Sequence, residues 1–233
     1  MCPALCLAIL VQDKTALGEL EKIEAAIRTA KALRVKYSWS QETAYPKISF
    51  KMRAAGTLLL RGDGRIRLTS EGISDGNPTS LLVISDGTTL WATNTWMGKP
   101  DTKKKKSPAN LISAVSKSLT GGVSGLESML WLALDEEVDA EGIGTWRFPT
   151  PDVRDVQDAG DVRVLTYGYK VNTADSSSEV KLRYDPKTYK LLSRSSTAKS
   201  GIEDAKENKT YVETFEEFKF DADLPADAFQ IPK

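Results

Sequence analysis

Residues 56 to 69 read Gly56-Thr57-Leu58-Leu59-Leu60-Arg61-Gly62-Asp63-Gly64-Arg65-Ile66-Arg67-Leu68-Thr69. The Asp63-Gly64 step supplies the positive φ that a tight hairpin turn requires. Beyond it, Arg65 to Thr69 alternates polar and apolar side chains, the period of a strand with one buried face. Gly56 to Arg61 is the incoming strand. Asp86-Gly87 repeats the device between Leu81–Ser85 and Thr88–Asn94. Upstream, Tyr37, Trp39 and Gln41 alternate with Lys36, Ser38 and Ser40, and Ile48, Phe50 and Met52 alternate with Ser49, Lys51 and Arg53. This part of the chain is therefore expected to be an antiparallel meander.

A different period precedes it. Ala16, Leu20, Ile23, Ile27, Ala30 and Leu33 recur at helical spacing, which predicts a helix over Asp13–Lys36 capped by Asp13 or Thr15. In the middle of the chain, Ser107-Pro108 has the composition of a helix start, and Leu111, Ile112, Val115 and Leu119 form an apolar stripe that ends at Gly121-Gly122. Gly125–Leu134 is a second short helix, apolar on nearly every side through Leu126, Met129, Leu130, Trp131, Leu132 and Leu134. Such a helix needs cover all round or an apolar partner that is not protein. Strands then resume at Leu165–Val171, Val180–Tyr184, Tyr189–Ser195 and Tyr211–Phe220. The order is helix, meander, two helices, meander. It predicts an α+β fold built on a single antiparallel sheet that curls and presents a concave face, which the helix pair would plug.

Composition narrows the function. The chain has 233 residues, 32 Lys and Arg, 32 Asp and Glu, and no histidine. Zero net charge removes the broad attraction that non-specific nucleic-acid binding uses. The missing histidine excludes Ser-His-Asp and Cys-His catalysis and His-ligated zinc. Two acidic groups, Asp135-Glu136-Glu137-Asp139 and Asp152, Asp155, Asp158 and Asp161, lack the spacing of a calcium loop. A binding protein without catalytic residue, metal or cofactor is expected, with a carboxylate-based hydrolase as the least favoured alternative. Cys2 and Cys6 lie in or beside the apolar run Pro3–Val11, which reads as the core of a secretory signal peptide spanning residues 1–12 and leaves 13–233 as one domain.

Three segments resemble the LolA/LolB-type periplasmic lipoprotein carriers. They are Gly56–Arg61 followed by Arg65-Ile66-Arg67; Leu82-Val83-Ile84-Ser85-Asp86-Gly87-Thr88-Thr89-Leu90-Trp91; and Glu213–Asp221 leading to Leu224-Pro225 and Phe229-Gln230-Ile231-Pro232. The resemblance implies an unclosed half-barrel with a helical lid over an apolar cavity. That cavity would hold the acyl chains of a lipoprotein or lipid on the way to the outer membrane. The resemblance also implies a soluble periplasmic monomer, with an inner-membrane donor or an outer-membrane acceptor as partner. In these carriers a basic residue near the first hairpin turn holds the lid shut. Arg61 is the nearest match, although Gly62-Asp63-Gly64 follows it where the family often has proline.

The expected lipid-binding residues are Leu58, Leu60, Ile66, Leu68, Leu82, Ile84 and Leu90 on the sheet, facing Leu111, Ile112, Val115, Met129 and Leu130 on the lid. Each buried methylene contributes about 0.8 kcal/mol, so one acyl chain can bind without polar contacts. The competing reading is that the same residues form a filled core. Gly121, Gly122 and Gly125 are candidate hinges. Lys99 and the run Lys103–Lys106 form a solvated loop or a docking site for an anionic partner. A lipid or lipoprotein sensor of the same shape, which transports nothing, is the alternative function.

Overall fold

The computed structural model describes residues 14–46, 48–96, 99–109, 111–121, 126–127, 130, 151–170, 177–199, 208–225 and 227–232. Its elements in chain order are α1 (Lys14–Thr29), β1 (Ala32–Ala44), β2 (Ser49–Arg61), β3 (Arg65–Ser74), β4 (Asn77–Asp86), β5 (Thr89–Trp96), β6 (Lys99–Lys106), α2 (Leu111–Thr120), β7 (Asp152–Ala159), β8 (Val162–Lys170), β9 (Ser177–Tyr184), β10 (Leu191–Lys199) and β11 (Asn208–Phe220). All eleven strands form one sheet in the order β6-β5-β4-β3-β2-β1-β11-β10-β9-β8-β7. Every described neighbour pair is antiparallel, and β1 pairs with β11, so the first and last strands join two meanders at the centre. The sheet does not close: among the described residues, β6 and β7 are its edge strands. This is the unclosed half-barrel α+β architecture that the sequence motifs imply.

Tight turns set the register. Gly64 and Gly87 adopt positive φ in the β2–β3 and β4–β5 turns. Asp75 and Gly76, at φ 47° and 83°, form a third turn of the same chemistry between β3 and β4. Directly paired residues share a face. Val35, Leu58, Leu68, Val83 and Ala92 therefore form one row across the sheet, and Leu33, Leu60, Ile66, Ser85 and Leu90 form the next. These rows, the buried stripe Ala16, Leu20, Ile23 and Ile27 of α1, and Leu111, Ala114, Val115 and Leu119 of α2 belong to one continuous core. α1 packs on α2 and on β7 and β8. On the opposite face, the C-terminal segment seats Ala228 and Phe229 on Leu59, while Arg67 donates a hydrogen bond of 3.2 Å to the Ala228 carbonyl.

Several boundaries differ from expectation for identifiable reasons. The first helix stops at Thr29. Leu33 and Val35 fit a helical stripe and a strand equally well, but their backbone is taken by pairing with Leu60 and Leu58. The stretches expected at Ile48–Arg53 and Gly56–Arg61 form one strand, Ser49–Arg61, because Gly56 does not break it. A Cβ at Gly56 would lie 2.5 Å from the Tyr37 hydroxyl, so glycine makes room for that ring. Ser107 does not open a helix. It extends the sheet instead, donating its N–H to the Thr88 carbonyl at 2.7 Å, and α2 begins at Leu111. Lys103–Lys106 are not a loop but part of edge strand β6, and the acidic run from Asp152 to Asp158 lies on edge strand β7. Both edges carry charge that discourages pairing with another sheet.

Candidate functional site

The helix-covered face of the sheet is the candidate site. Leu58, Leu60, Ile66, Leu68 and Leu90 lie there, fully buried in the core they share with α1 and α2. Leu111, Val115 and Leu130 meet them from the helical side, and Ile112 packs against the same cluster while half-exposed. Met129 and most of the expected second lid helix lie outside the described residues; Leu126, Glu127 and Leu130 are helical.

Leu82 and Ile84 correct the expected parity. Leu82 pairs with Thr69, and Ile84 pairs with Arg67, so both side chains share the outer face with Leu59. Leu81 and Val83 take the inner positions. Four consecutive apolar residues hide the alternation, and the pairing of Ser85 with Ile66 and Leu90 resolves it.

With exposures of 0–2%, Leu58, Leu60, Ile66, Leu68, Leu90, Leu111, Val115 and Leu130 touch protein on every side. The half-barrel is thus filled at these positions in this conformation. Access to the floor requires the helices to move, so the bonds that hold them decide what the site can do.

Most of those bonds come from one wing of the sheet. Glu19 of α1, almost fully buried, accepts hydrogen bonds from Tyr184 of β9 and from Lys22, both at 2.8 Å, and from Arg163 of β8 at 3.3 Å. Burial pushes the Glu19 carboxyl up, but these donors outweigh it and hold the group below its ordinary 4.5. At the other helix, Arg194 of β10 donates to the Ser118 carbonyl, and the Tyr167 hydroxyl of β8 donates to the Thr120 carbonyl. These two donors satisfy carbonyls that a helix C-terminus leaves open, and Arg194 also complements the end of the helix dipole. Gly121 follows with φ 147°, and a Cβ there would collide with the Tyr167 ring. Packing accounts for that glycine without a hinge. Between the helices, Ser116 donates to the Glu24 carbonyl at 3.1 Å, and Thr120 donates to the Glu24 carboxylate at 3.2 Å.

Arg194 is itself held by a buried ion pair, with its Nη2 3.0 Å from Glu213 Oε2 and the two residues 2% and 1% exposed. The Tyr211 ring stacks under the guanidinium at 4.9 Å. Burial keeps the Glu213 carboxyl above its ordinary 4.5 despite the neighbouring cation.

On the other wing, Glu127 ties the helical cover to the sheet. Glu127 Oε1 accepts from the Ser70 hydroxyl at 2.6 Å, the Trp39 indole at 2.8 Å and the Tyr37 hydroxyl at 2.9 Å. Burial, together with this carboxylate, raises the Tyr37 hydroxyl well above its usual range and keeps it a donor. Glu127 is thus a latch between the second helical segment and strands β1 and β3. Arg61, expected in that role, pairs at 3.3 Å with Asp63 of its own turn. Sequence reasoning missed Glu127; the signal that could have found it is that it is the single ionisable residue within Gly125–Leu134. Arg194 and Glu213 carried a weaker signal: polar residues at inward positions of strands whose parity is interrupted by bulges near Leu191 and opposite Lys36/Tyr37.

Among the described residues, no three His, Cys, Asp or Glu side chains converge where they could hold a metal ion. A cleft of about 480 Å³ touches Ser40, Arg53, Ile73 and Val212 on the outer face.

No protein-family model and no curated protein matches the chain. Solved structures similar to it include the MucA/MucB complex of Pseudomonas aeruginosa, at 13% identity and TM-score 0.37, where the match covers 94% of this chain and 61% of the other. A second structure of MucB in complex with MucA(peri) matches at 12% identity and TM-score 0.35, covering 94% of this chain and 59% of that one. This chain therefore spans about three fifths of the length of the MucB chains it matches. An outer membrane lipoprotein-sorting protein domain from Vibrio parahaemolyticus matches at 14% identity and TM-score 0.31, over 91% of this chain and 95% of the other. Likeness at this level decides neither ligand nor partner.

Proposed function

We propose that the protein is an exported carrier that holds acyl chains of a lipid or lipoprotein between its helical cover and the aliphatic strands β2 to β5. The observation that supports this reading is the uneven attachment of the cover. Directional bonds from Glu19, Tyr167 and Arg194 tie the helices to strands β8 to β10. Among the described residues, β2 to β5 share an aliphatic core with the helices, and apolar contact resists sliding far less than hydrogen bonds do. Breaking the Glu127 contacts would let the cover swing about its fixed side and present Leu58, Leu60, Ile66, Leu68 and Leu90 to an acyl chain. The ligand then replaces helix-to-sheet burial with ligand-to-sheet burial, at about 0.8 kcal/mol per methylene. In this mechanism Leu82 and Ile84 have no lipid contact, and Arg61 has no latch role.

Native mass spectrometry of the delipidated protein, incubated with a diacylated lipopeptide, tests the reading. One bound ligand per chain is expected, and Glu127→Gln should speed its uptake several-fold. A protein that takes up no acylated species removes both carrier and lipid sensor. Transfer of bound lipopeptide to acceptor vesicles separates these two, since a sensor retains its ligand.

A further inference from the structure

We propose that Tyr37, Trp39 and Ser70 form a head subsite for the carboxylate of a fatty acid, and that Glu127 fills this subsite as an internal stand-in while the cover is closed. The inference rests on the acyl-binding reading and narrows its cargo to a chemical class.

The subsite follows from the register. Tyr37 of β1, Gly56 of β2 and Ser70 of β3 pair in one row, and Val35, Leu58 and Leu68 form the next row on the same face. Two strand spacings separate the Tyr37 and Ser70 backbones by about 10 Å. The glycine between them lets the phenol reach across, since a Cβ at 56 would lie 2.5 Å from the Tyr37 hydroxyl. Trp39, two residues along β1, points to the same face. The three donors converge on a single atom, Glu127 Oε1, at 2.9 Å from Tyr37, 2.8 Å from Trp39 and 2.6 Å from Ser70. The Ser70 contact has the length of a bond from a hydroxyl to an anionic oxygen. Glu213, which pairs with Trp39 across β1 and β11, is matched by Arg194 at 3.0 Å, so that pair adds no net charge beside the donors. The site is thus shaped to hold one carboxylate oxygen approaching from the helical side.

The neighbouring rows define the rest of the ligand. Leu58 and Leu68 lie two residues from Gly56 and Ser70, and Leu60 and Ile66 lie four. The rise of a strand places these apolar rows about 7 and 14 Å from the donors. A carboxylate held by the donors therefore lays its acyl chain along them. Opening the cover withdraws Glu127 and strips an acceptor from Tyr37 and Ser70, whose residues are 2% and 5% exposed in the closed form. Unmet donors in apolar surroundings cost free energy until another acceptor arrives. A bare hydrocarbon brings none, whereas a fatty acid brings acceptor and chain together.

Equilibrium dialysis of the whole delipidated chain against laurate and methyl laurate, at a pH where laurate is ionised, tests the subsite. Hydrogen bonds to a charged acceptor are the stronger kind, so the wild type should prefer laurate by about tenfold or more. Glu127→Ala should bind both ligands more tightly and keep that preference, because the donors remain. Tyr37→Phe/Ser70→Ala should reduce the preference below about threefold, with Trp39 the one donor left. Trp39→Phe, at a half-buried position, should reduce it by about threefold. Each ratio compares two ligands on one protein, so a loss of stability common to both cancels. If the donors serve only to latch Glu127, removing them changes both affinities alike. Equal affinities in the wild type, or a preference that survives Tyr37→Phe/Ser70→Ala, would overturn the subsite and leave the acyl-binding reading standing. Binding of neither ligand, by the wild type or by Glu127→Ala, would overturn both.

Discussion

The two wings of the sheet treat the helices differently. The first wing, β1 to β6, offers leucine, isoleucine and valine along its middle strands, with one cluster of donors on β1 and β3 gripping Glu127. The second, β7 to β11, offers tyrosines and a buried arginine, and its hydroxyl and guanidinium groups reach helix carbonyls and carboxylates. Apolar contact is non-directional and survives small displacements, whereas a hydrogen bond weakens steeply once its angle is lost. One wing is thus a surface on which a cover can slide, and the other is where it is fastened. The proposed carrier role uses both.

The comparison can be broken most severely at Arg194. Arg194→Met should cost about 3–5 kcal/mol, because it leaves Glu213 buried and unpaired and frees the end of α2. Denaturant titration measures the loss, and the double variant Arg194→Met/Glu213→Leu should recover most of it. Recovery below half would mean that the carbonyl contact to α2, not the ion pair, carries the energy.

On the aliphatic wing the two faces should separate. Leu68→Ala should destabilise by about 2–5 kcal/mol, and Leu82→Ala by less than about 1 kcal/mol. Equal losses would return Leu82 to the core and contradict the register.

The Glu19 anchor gives a smaller, pH-dependent signal. Its carboxyl is held below the ordinary 4.5, so the unfolded state binds its proton first on acidification. Its contribution is complete above pH 4.5 and is lost as pH falls through the folded value. Glu19→Gln should therefore cost about 1–3 kcal/mol near neutrality, and the gap to the wild type should close in acid. A gap that stays constant from neutral pH to pH 3.5, about one unit below the reference value, would remove Glu19 as a charged anchor.

At the β6 edge the effect on stability should be smallest. Lys104→Ser/Lys106→Ser should change stability by no more than about 0.5 kcal/mol, yet light scattering should show faster aggregation. Unchanged aggregation would mean that these lysines do not protect the edge.

The central hairpins were legible because two sequence features agree there. The Asp63-Gly64 and Asp86-Gly87 turns fall where the alternation reverses, so turn chemistry and burial period select one register. The edge strands were not. Lys-Pro-Asp-Thr-Lys-Lys-Lys-Lys carries no apolar alternation, and Asp-Val-Arg-Asp-Val-Gln-Asp-Ala carries little, because an edge has fewer neighbours to pack against. Their strand character comes from pairing with β5 and β8.

The candidate site divides in the same way. Apolar period alone placed Leu58, Leu60, Ile66, Leu68, Leu90, Leu111, Val115 and Leu130 inside, since a strand or helix with one wet face has one parity available. It failed at Leu81–Ile84, where both parities are apolar. The partnerships of Glu127 with Tyr37, Trp39 and Ser70, and of Arg194 with Glu213 and Ser118, join residues between 19 and 90 positions apart. No local pattern encodes such a meeting, because a polar side chain acquires its partner only when the sheet has curled and the helices have settled on it. The sequence determined which surfaces would be greasy; tertiary structure decided where the cover is fastened.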